Sequence, residues 1–204
     1  MHARLTMVTG DPRKMDDLIS LVDNDVRPLV EAQPGSRGMA LFVARDSGEG
    51  GVVSFFDSAE AMQASAPKVM GVREKAVDLM AGSATVENFE VAVFQRRSMP
   101  GPGAWMRLTR THLDDLSTID AAIEQFRSTT LPALSGIPGL ISSLLFVDRE
   151  SGNAATTGVY QDHAALDASR DAGAAIRAES MKRAGLTMTS VAEYELIFTS
   201  ARPD

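Results

Sequence analysis

Residues 3–9 alternate apolar and polar side chains, the two-residue period of a half-buried strand. Asp11-Pro12 follows, an N-cap residue with proline at the first helical position. Met15, Leu18, Val22, Val26 and Leu29 then recur at helical spacing and form one apolar stripe. Pro28 falls late in that helix and is expected to bend it, and Pro34-Gly35 to end it. Residues 39–45 read as a second strand, DSGEGG at 46–51 as a hairpin loop, and residues 52–56 as a third strand. Asp57-Ser58 caps another helical region, expected to break near Pro67 and to run to about Met80. Residues 89–94 make the last strand of this set.

The same order then returns. Leu116, Ile119, Ile123 and Phe126 form a helical stripe with Asp114 or Asp115 near its cap. Residues 144–147, 156–160 and 194–198 read as strands, and 162–184 as a helix interrupted around 171–173. Sliding the chain by about 104 residues brings the halves into register. Arg4-Leu5-Thr6 meets Arg107-Leu108-Thr109, and Pro34-Gly35 meets Pro138-Gly139. Phe42-Val43 meets Phe146-Val147, Phe56 meets Tyr160, Arg73 meets Arg177, and Phe89-Glu90 meets Tyr194-Glu195. The segment RRSMPGPGA between the halves is rich in proline and glycine and reads as a linker. The expected organisation is a first repeat over 1–96, a linker over 97–104 and a second repeat over 105–204.

Strand, helix, hairpin, helix, strand is the βαββαβ order of a ferredoxin-like unit. One four-stranded antiparallel sheet with helices on a single face leaves its other face bare, and a second copy can cover it. The fold class is therefore α+β: two ferredoxin-like repeats whose sheets pack face to face.

Composition narrows the function classes. Twenty Lys and Arg against 27 Asp and Glu give a net charge of −7, with the basic residues scattered. That distribution argues against a nucleic-acid partner. No run reaches the roughly 18 apolar residues of a membrane helix, and the N-terminus lacks a signal-peptide layout, so a cytoplasmic protein is expected. Cysteine is absent, which excludes thiolate chemistry, and three scattered histidines make no recognisable metal set.

The paired segments PLVEAQPGSRG (28–38) and LPALSGIPGLIS (131–142), set in this repeated order, resemble the dimeric α/β-barrel superfamily. Within it the likeness is to antibiotic-biosynthesis-monooxygenase domains, here in tandem. The resemblance implies an intrachain version of a dimer, as a monomeric pseudo-dimer or a homodimer of it. It also implies a ligand cavity between sheet and helices, and a small aromatic or polyketide-like ligand. The implied chemistry uses no cofactor: a deprotonated substrate reacts directly with oxygen. Haem-degrading relatives combine a first-strand Asn with a Trp and a His, a set this chain lacks apart from a weak candidate in His163.

The second half has the richer hydrogen-bonding kit, with both tyrosines and the only tryptophan. Leu108, Arg110 and His112 alternate along one strand and share a face. His112 is the candidate base, Arg110 the candidate oxyanion partner, and Tyr160 and Tyr194 the candidate substrate-binding residues. Trp105 is assigned to packing between the sheets, and Arg4 and Arg107, which recur, to structural roles. The competing expectation is a non-catalytic ligand-binding or structural α/β-barrel protein, with haem binding behind it, and the competing reading of His112 is a solvated strand-end residue.

Overall fold

The computed structural model describes residues 1–202. The first repeat comprises β1 (His2–Thr9), α1 (Met15–Leu21), α2 (Arg27–Glu31), β2 (Ser36–Ala44), β3 (Glu49–Phe56), α3 (Ala59–Met80) and β4 (Ser83–Arg96). The second comprises β5 (Trp105–His112), α4 (Ile119–Gln125), α5 (Leu131–Ser135), β6 (Leu140–Val147), β7 (Asn153–Tyr160), α6 (His163–Ala168), α7 (Arg170–Ala184) and β8 (Thr187–Thr199). The strands hydrogen-bond in the order β1-β3-β2-β8-β5-β7-β6-β4, and that order closes on itself. This is the α+β topology of a dimeric α/β barrel built from one chain.

The compact units do not divide at the linker. One comprises Met1–Phe89 with Glu195–Asp204, the other Glu90–Tyr194. The reason lies in β4 and β8, strands of 14 and 13 residues. The end of β8 pairs with β2 inside the first unit, from Ala40↔Thr199 to Val43↔Glu195. The end of β4 pairs with β6 inside the second, from Glu90↔Val147 to Arg96↔Ser142. Duplicated ion pairs follow the same exchange. Arg45 reaches Asp16 and Glu195 in the first unit, and Arg149 reaches Asp120 and Glu90 in the second.

Local rules explain most boundaries. Asp11 accepts from the Arg13 amide, and Pro12 opens the turn that leads into α1. The Arg13 guanidinium holds the Asp11 carboxyl down at about 2. Ser58, Asp115 and Asp162 cap the later helical segments in the same way. The expected bend at Pro28 takes a different form. A π-turn over Val22–Val26 precedes it, with the Arg27 amide bonded to Val22 O. A second π-turn, Phe126–Thr130, precedes Pro132 at the matching place. Proline cannot donate a helical hydrogen bond, and the widened turn absorbs the lost bond.

The expected break at Pro67 does not occur, since α3 runs through it. The later helical region is interrupted at Ser169 rather than at 171–173. Glu49, Gly50 and Gly51, read as loop, belong to β3. Inside the first unit, Met15, Leu18, Val22 and Val69 pack with Leu41 and Val43. Inside the second, Ile119, Ile123 and Phe126 pack with Leu145 and Val147. The helices of each unit thus bury their apolar stripes on one face of that unit's strands, and a cavity remains in each layer.

Candidate functional site

The second unit holds the larger cavity, about 100 Å³. Its walls are mostly apolar, from Leu113, Ile119, Ile123, Phe126, Leu145 and Ile176. Strand β5 contributes Arg107, Thr109 and Thr111, and β7 contributes Tyr160. Helix α7 contributes Gly173, Arg177 and Ser180.

The cavity lining differs from the expected set of site residues. Side chains two apart on a strand share a face, so the face of Arg107, Thr109 and Thr111 excludes Arg110 and His112. Neither Arg110 nor His112 lines the cavity. His112 sits at the strand end, with Nδ1 2.9 Å from Asn153 Oδ1 and Nε2 3.4 Å from Asp114, and its side chain is 37% exposed. Tyr194 is buried but lies on the opposite face of β8 from Glu193, the residue that meets Arg107. Of the four expected site residues, only Tyr160 borders the cavity. Trp105 shares the face of Arg107 and so packs beside the helices, edge-on to His163 with centroids 4.3 Å apart, next to Leu140 and Leu166. His163 is further engaged by Asp167 at 3.1 Å.

Arg107 is 4% exposed and fully engaged. Its Nε and Nη2 donate to Glu193 Oε1 at 3.0 and 2.8 Å. Nη1 donates to Ser169 Oγ at 2.9 Å and, more weakly, to Tyr160 Oη at 3.4 Å. Nη2 also donates to Leu166 O at 3.1 Å. The guanidinium thereby ties β5 to α6, β7 and β8. The sequence assigns Arg107 a structural role, and the structure also sets it on the cavity wall.

Arg177 differs. It donates no hydrogen bond to any described residue, and burial followed by the charge of Arg107 lowers its pKa. Gly173 lets both guanidinium groups approach α7: a Cβ there would lie 3.1 Å from Arg107 Nη1 and 3.3 Å from Arg177 Nη1. At the other end of the cavity, Gln125, Thr130 and Ser180 form a small polar cluster. Gln125 Nε2 donates to Thr130 Oγ1 at 3.1 Å, and Thr130 Oγ1 to Ser180 Oγ at 2.9 Å.

The first unit repeats this plan at smaller scale, with a cavity of about 60 Å³ lined by Arg4, Thr6, Val26, Val69, Arg73 and Ala76, among others. In register, Val69 stands where the second unit has Gly173, Val26 where it has Thr130, and Ala76 where it has Ser180. Val69 fills space that Gly173 leaves open, and Val26 and Ala76 lack the hydroxyls of Thr130 and Ser180. Sequence comparison of the halves exposes these differences, but only once the cavity-facing strand residues are known. Among the described residues, no group of His, Asp and Glu is clustered to hold a metal ion, and no helix is long and apolar enough to cross a membrane.

Comparison with known proteins agrees with this architecture. Residues 1–66 match the antibiotic biosynthesis monooxygenase family. The Mycobacterium tuberculosis (strain ATCC 25618 / H37Rv) protein Rv2557, described as uncharacterized, is 31% identical over 202 residues, covering 99% of this chain and 90% of that one. Rv2558 of the same organism is 29% identical over 203 residues, covering 99% and 86%. An anthrone oxidase-like protein shares the fold with a TM-score of 0.71 at 16% identity, over 100% of this chain and 94% of its own. A monooxygenase-like protein from Listeria innocua gives 0.57 at 12% identity, over 95% and 93%. The chain belongs to the antibiotic biosynthesis monooxygenase family, in a tandem form that pairs two such domains within one polypeptide.

Proposed function

We propose that the protein has a monooxygenase-type function and that its second-unit cavity binds an electron-rich aromatic or polyketide-like molecule through one acidic oxygen. The observation that carries the reading is Arg177, a cation on the wall of an apolar cavity with no hydrogen bond to a described residue, beside Tyr160 and Arg107. Family membership and the fold shared with an anthrone oxidase-like protein support the reaction class. Phe56 in place of Tyr160 and the smaller volume make the first cavity the poorer host for this ligand.

The chemistry follows from charge. A phenol or enol that loses its proton places negative charge on oxygen. A preformed cationic donor in a water-poor pocket stabilises that anion far better than water does. Arg177 supplies the charge. Tyr160 Oη, which accepts from Arg107, directs its own hydrogen toward the substrate oxygen. Stabilising the anion lowers the acidity barrier, so that solvent takes the proton. The substrate anion then donates its electrons to oxygen: a ring methylene and one O₂ give a carbonyl and one water.

Oxygen uptake with hydroxylated anthrones tests the proposal. Uptake above buffer is expected, with kcat/KM falling about 100-fold in Arg177→Met, the usual scale for losing an oxyanion donor. Gly173→Val, which copies the first unit's valine into the larger cavity, is expected to abolish substrate binding. Uptake that survives both substitutions would exclude this cavity as the site.

A second reading, binding without turnover, is favoured by the cavity lining itself: no His, Asp or Glu stands among those residues to serve as a general base. Saturable anthrone binding without oxygen consumption would establish it.

A further inference from the structure

The first unit's cavity carries an unbalanced pair of charges. Arg4 is 4% exposed, yet among the described residues it donates only to Ser65 Oγ, at 2.9 Å, and to Met62 O, both neutral. Burial and the nearby Arg73 both lower its pKa. Arg73 lines the same cavity and makes no hydrogen bond or ion pair to a described residue. No Asp or Glu stands among the lining residues. A buried guanidinium without an anion is costly, and proteins normally pair it.

The second unit shows what completes the arrangement. Arg107 repeats the ties of Arg4 through Ser169 Oγ and Leu166 O, then adds Glu193 Oε1 across Nε and Nη2. In register, Glu193 falls on Asn88, an uncharged and exposed residue. The guanidinium seat for a carboxylate is therefore built twice, and the chain fills it once.

We infer that the first cavity binds a short-chain organic monocarboxylate, its carboxylate on Arg4 and Arg73 and its hydrocarbon tail among Val22, Val26, Val72 and Ala76. The volume of about 60 Å³, against about 100 Å³ in the second unit, favours a ligand of few heavy atoms over a fused-ring aromatic. A phosphate dianion is disfavoured because Thr6 and Ser54 are the only other polar side chains on an otherwise aliphatic wall. The two guanidinium groups suit one planar carboxylate. This site and its ligand are independent of the reaction proposed for the second cavity.

The test uses the full chain with butyrate and its neutral isostere butyramide, followed by ligand-detected NMR and thermal shift. Butyrate is expected to bind and to raise the melting temperature, with butyramide at least about tenfold weaker, the scale of one lost charge-assisted contact. Arg73→Met, a partly exposed position, should weaken butyrate about tenfold, whereas Arg177→Met should leave its Kd unchanged. Asn88→Glu keeps both arginines and supplies the missing carboxylate from within, so it should abolish butyrate binding. The inference is overturned if butyrate does not bind or binds no better than butyramide. It is equally overturned if Arg73→Met and Asn88→Glu bind butyrate like the parent chain, or if Arg177→Met alone removes binding.

Discussion

Arg107 and Arg177 border one cavity but differ in what removing them does. Arg107 holds Glu193, Ser169, Tyr160 and a backbone carbonyl together, so Arg107→Met removes the donors of Glu193 Oε1, Ser169, Tyr160 and Leu166 O at once, while Arg170 keeps Glu193 Oε2 at 2.6 Å. Several buried acceptors losing their donor together cost about 2 kcal/mol or more, and urea denaturation should show a loss of that size. Arg177 donates no such hydrogen bonds, and Arg177→Met should cost less than about 1 kcal/mol while lowering kcat/KM for oxygen uptake about 100-fold. His112→Ala, away from the cavity, is expected to change neither quantity. If it abolishes uptake, the site lies on the other face of β5. The sequence points to β5 and to Tyr160, both of which border the cavity, because polar residues concentrate in the second half. Its choice of face falls on Arg110 and His112, which lie off the cavity wall. Arg107 recurs in both halves and so reads as structural, which diverts attention to its neighbours Arg110 and His112. Recurrence here marks a buried guanidinium that both cavities use.

At the scale of elements, the two helix-to-strand turns are the most legible feature of the chain, and the structure shows why. Gly35 and Gly139 lie at φ +75° and +77°, a region open to glycine without strain. A Cβ on Gly139 would also lie 2.5 Å from Ala165 Cβ, and one on Gly35 2.8 Å from Ala61 Cβ. The Gln161 amide bonds Gly139 O at 2.9 Å, so the turn also positions the end of β7 and, with it, Tyr160. Gly139→Ala should cost about 2 kcal/mol or more from strain and contact together, measured as a lower urea midpoint at unchanged slope. A variant as stable as the parent would mean that the turn relaxes. The π-turns before Pro28 and Pro132 were not legible in the same way. A proline announces a missing hydrogen bond, but whether the helix bends or widens depends on packing in the finished layer.

At the scale of the whole molecule, the repeat is legible and the strand exchange is not. Register between the halves is carried by residues that tolerate few substitutes, such as glycines at positive φ and prolines at helix ends. Strand alternation carries no mark of which partner a strand will choose. Hence β4 reads as the last strand of the first repeat, although its end, from Glu90, pairs with β6. This makes a cut at the linker informative. A fragment of residues 1–96 would keep that end of β4 without its partner and would expose the edge of β2 that Glu195–Thr199 otherwise covers. Arg45 would lose Glu195, and in the complementary fragment Arg149 would lose Glu90. Unpaired edges of this kind drive association rather than stable monomers. Each fragment alone is therefore expected to aggregate or self-associate. Mixing the two in equal amounts during refolding should restore a soluble 1:1 complex with the circular dichroism of the intact chain. Light scattering decides the matter: a monomeric 1–96 fragment with cooperative unfolding would show that the exchanged strand ends are dispensable to the first unit.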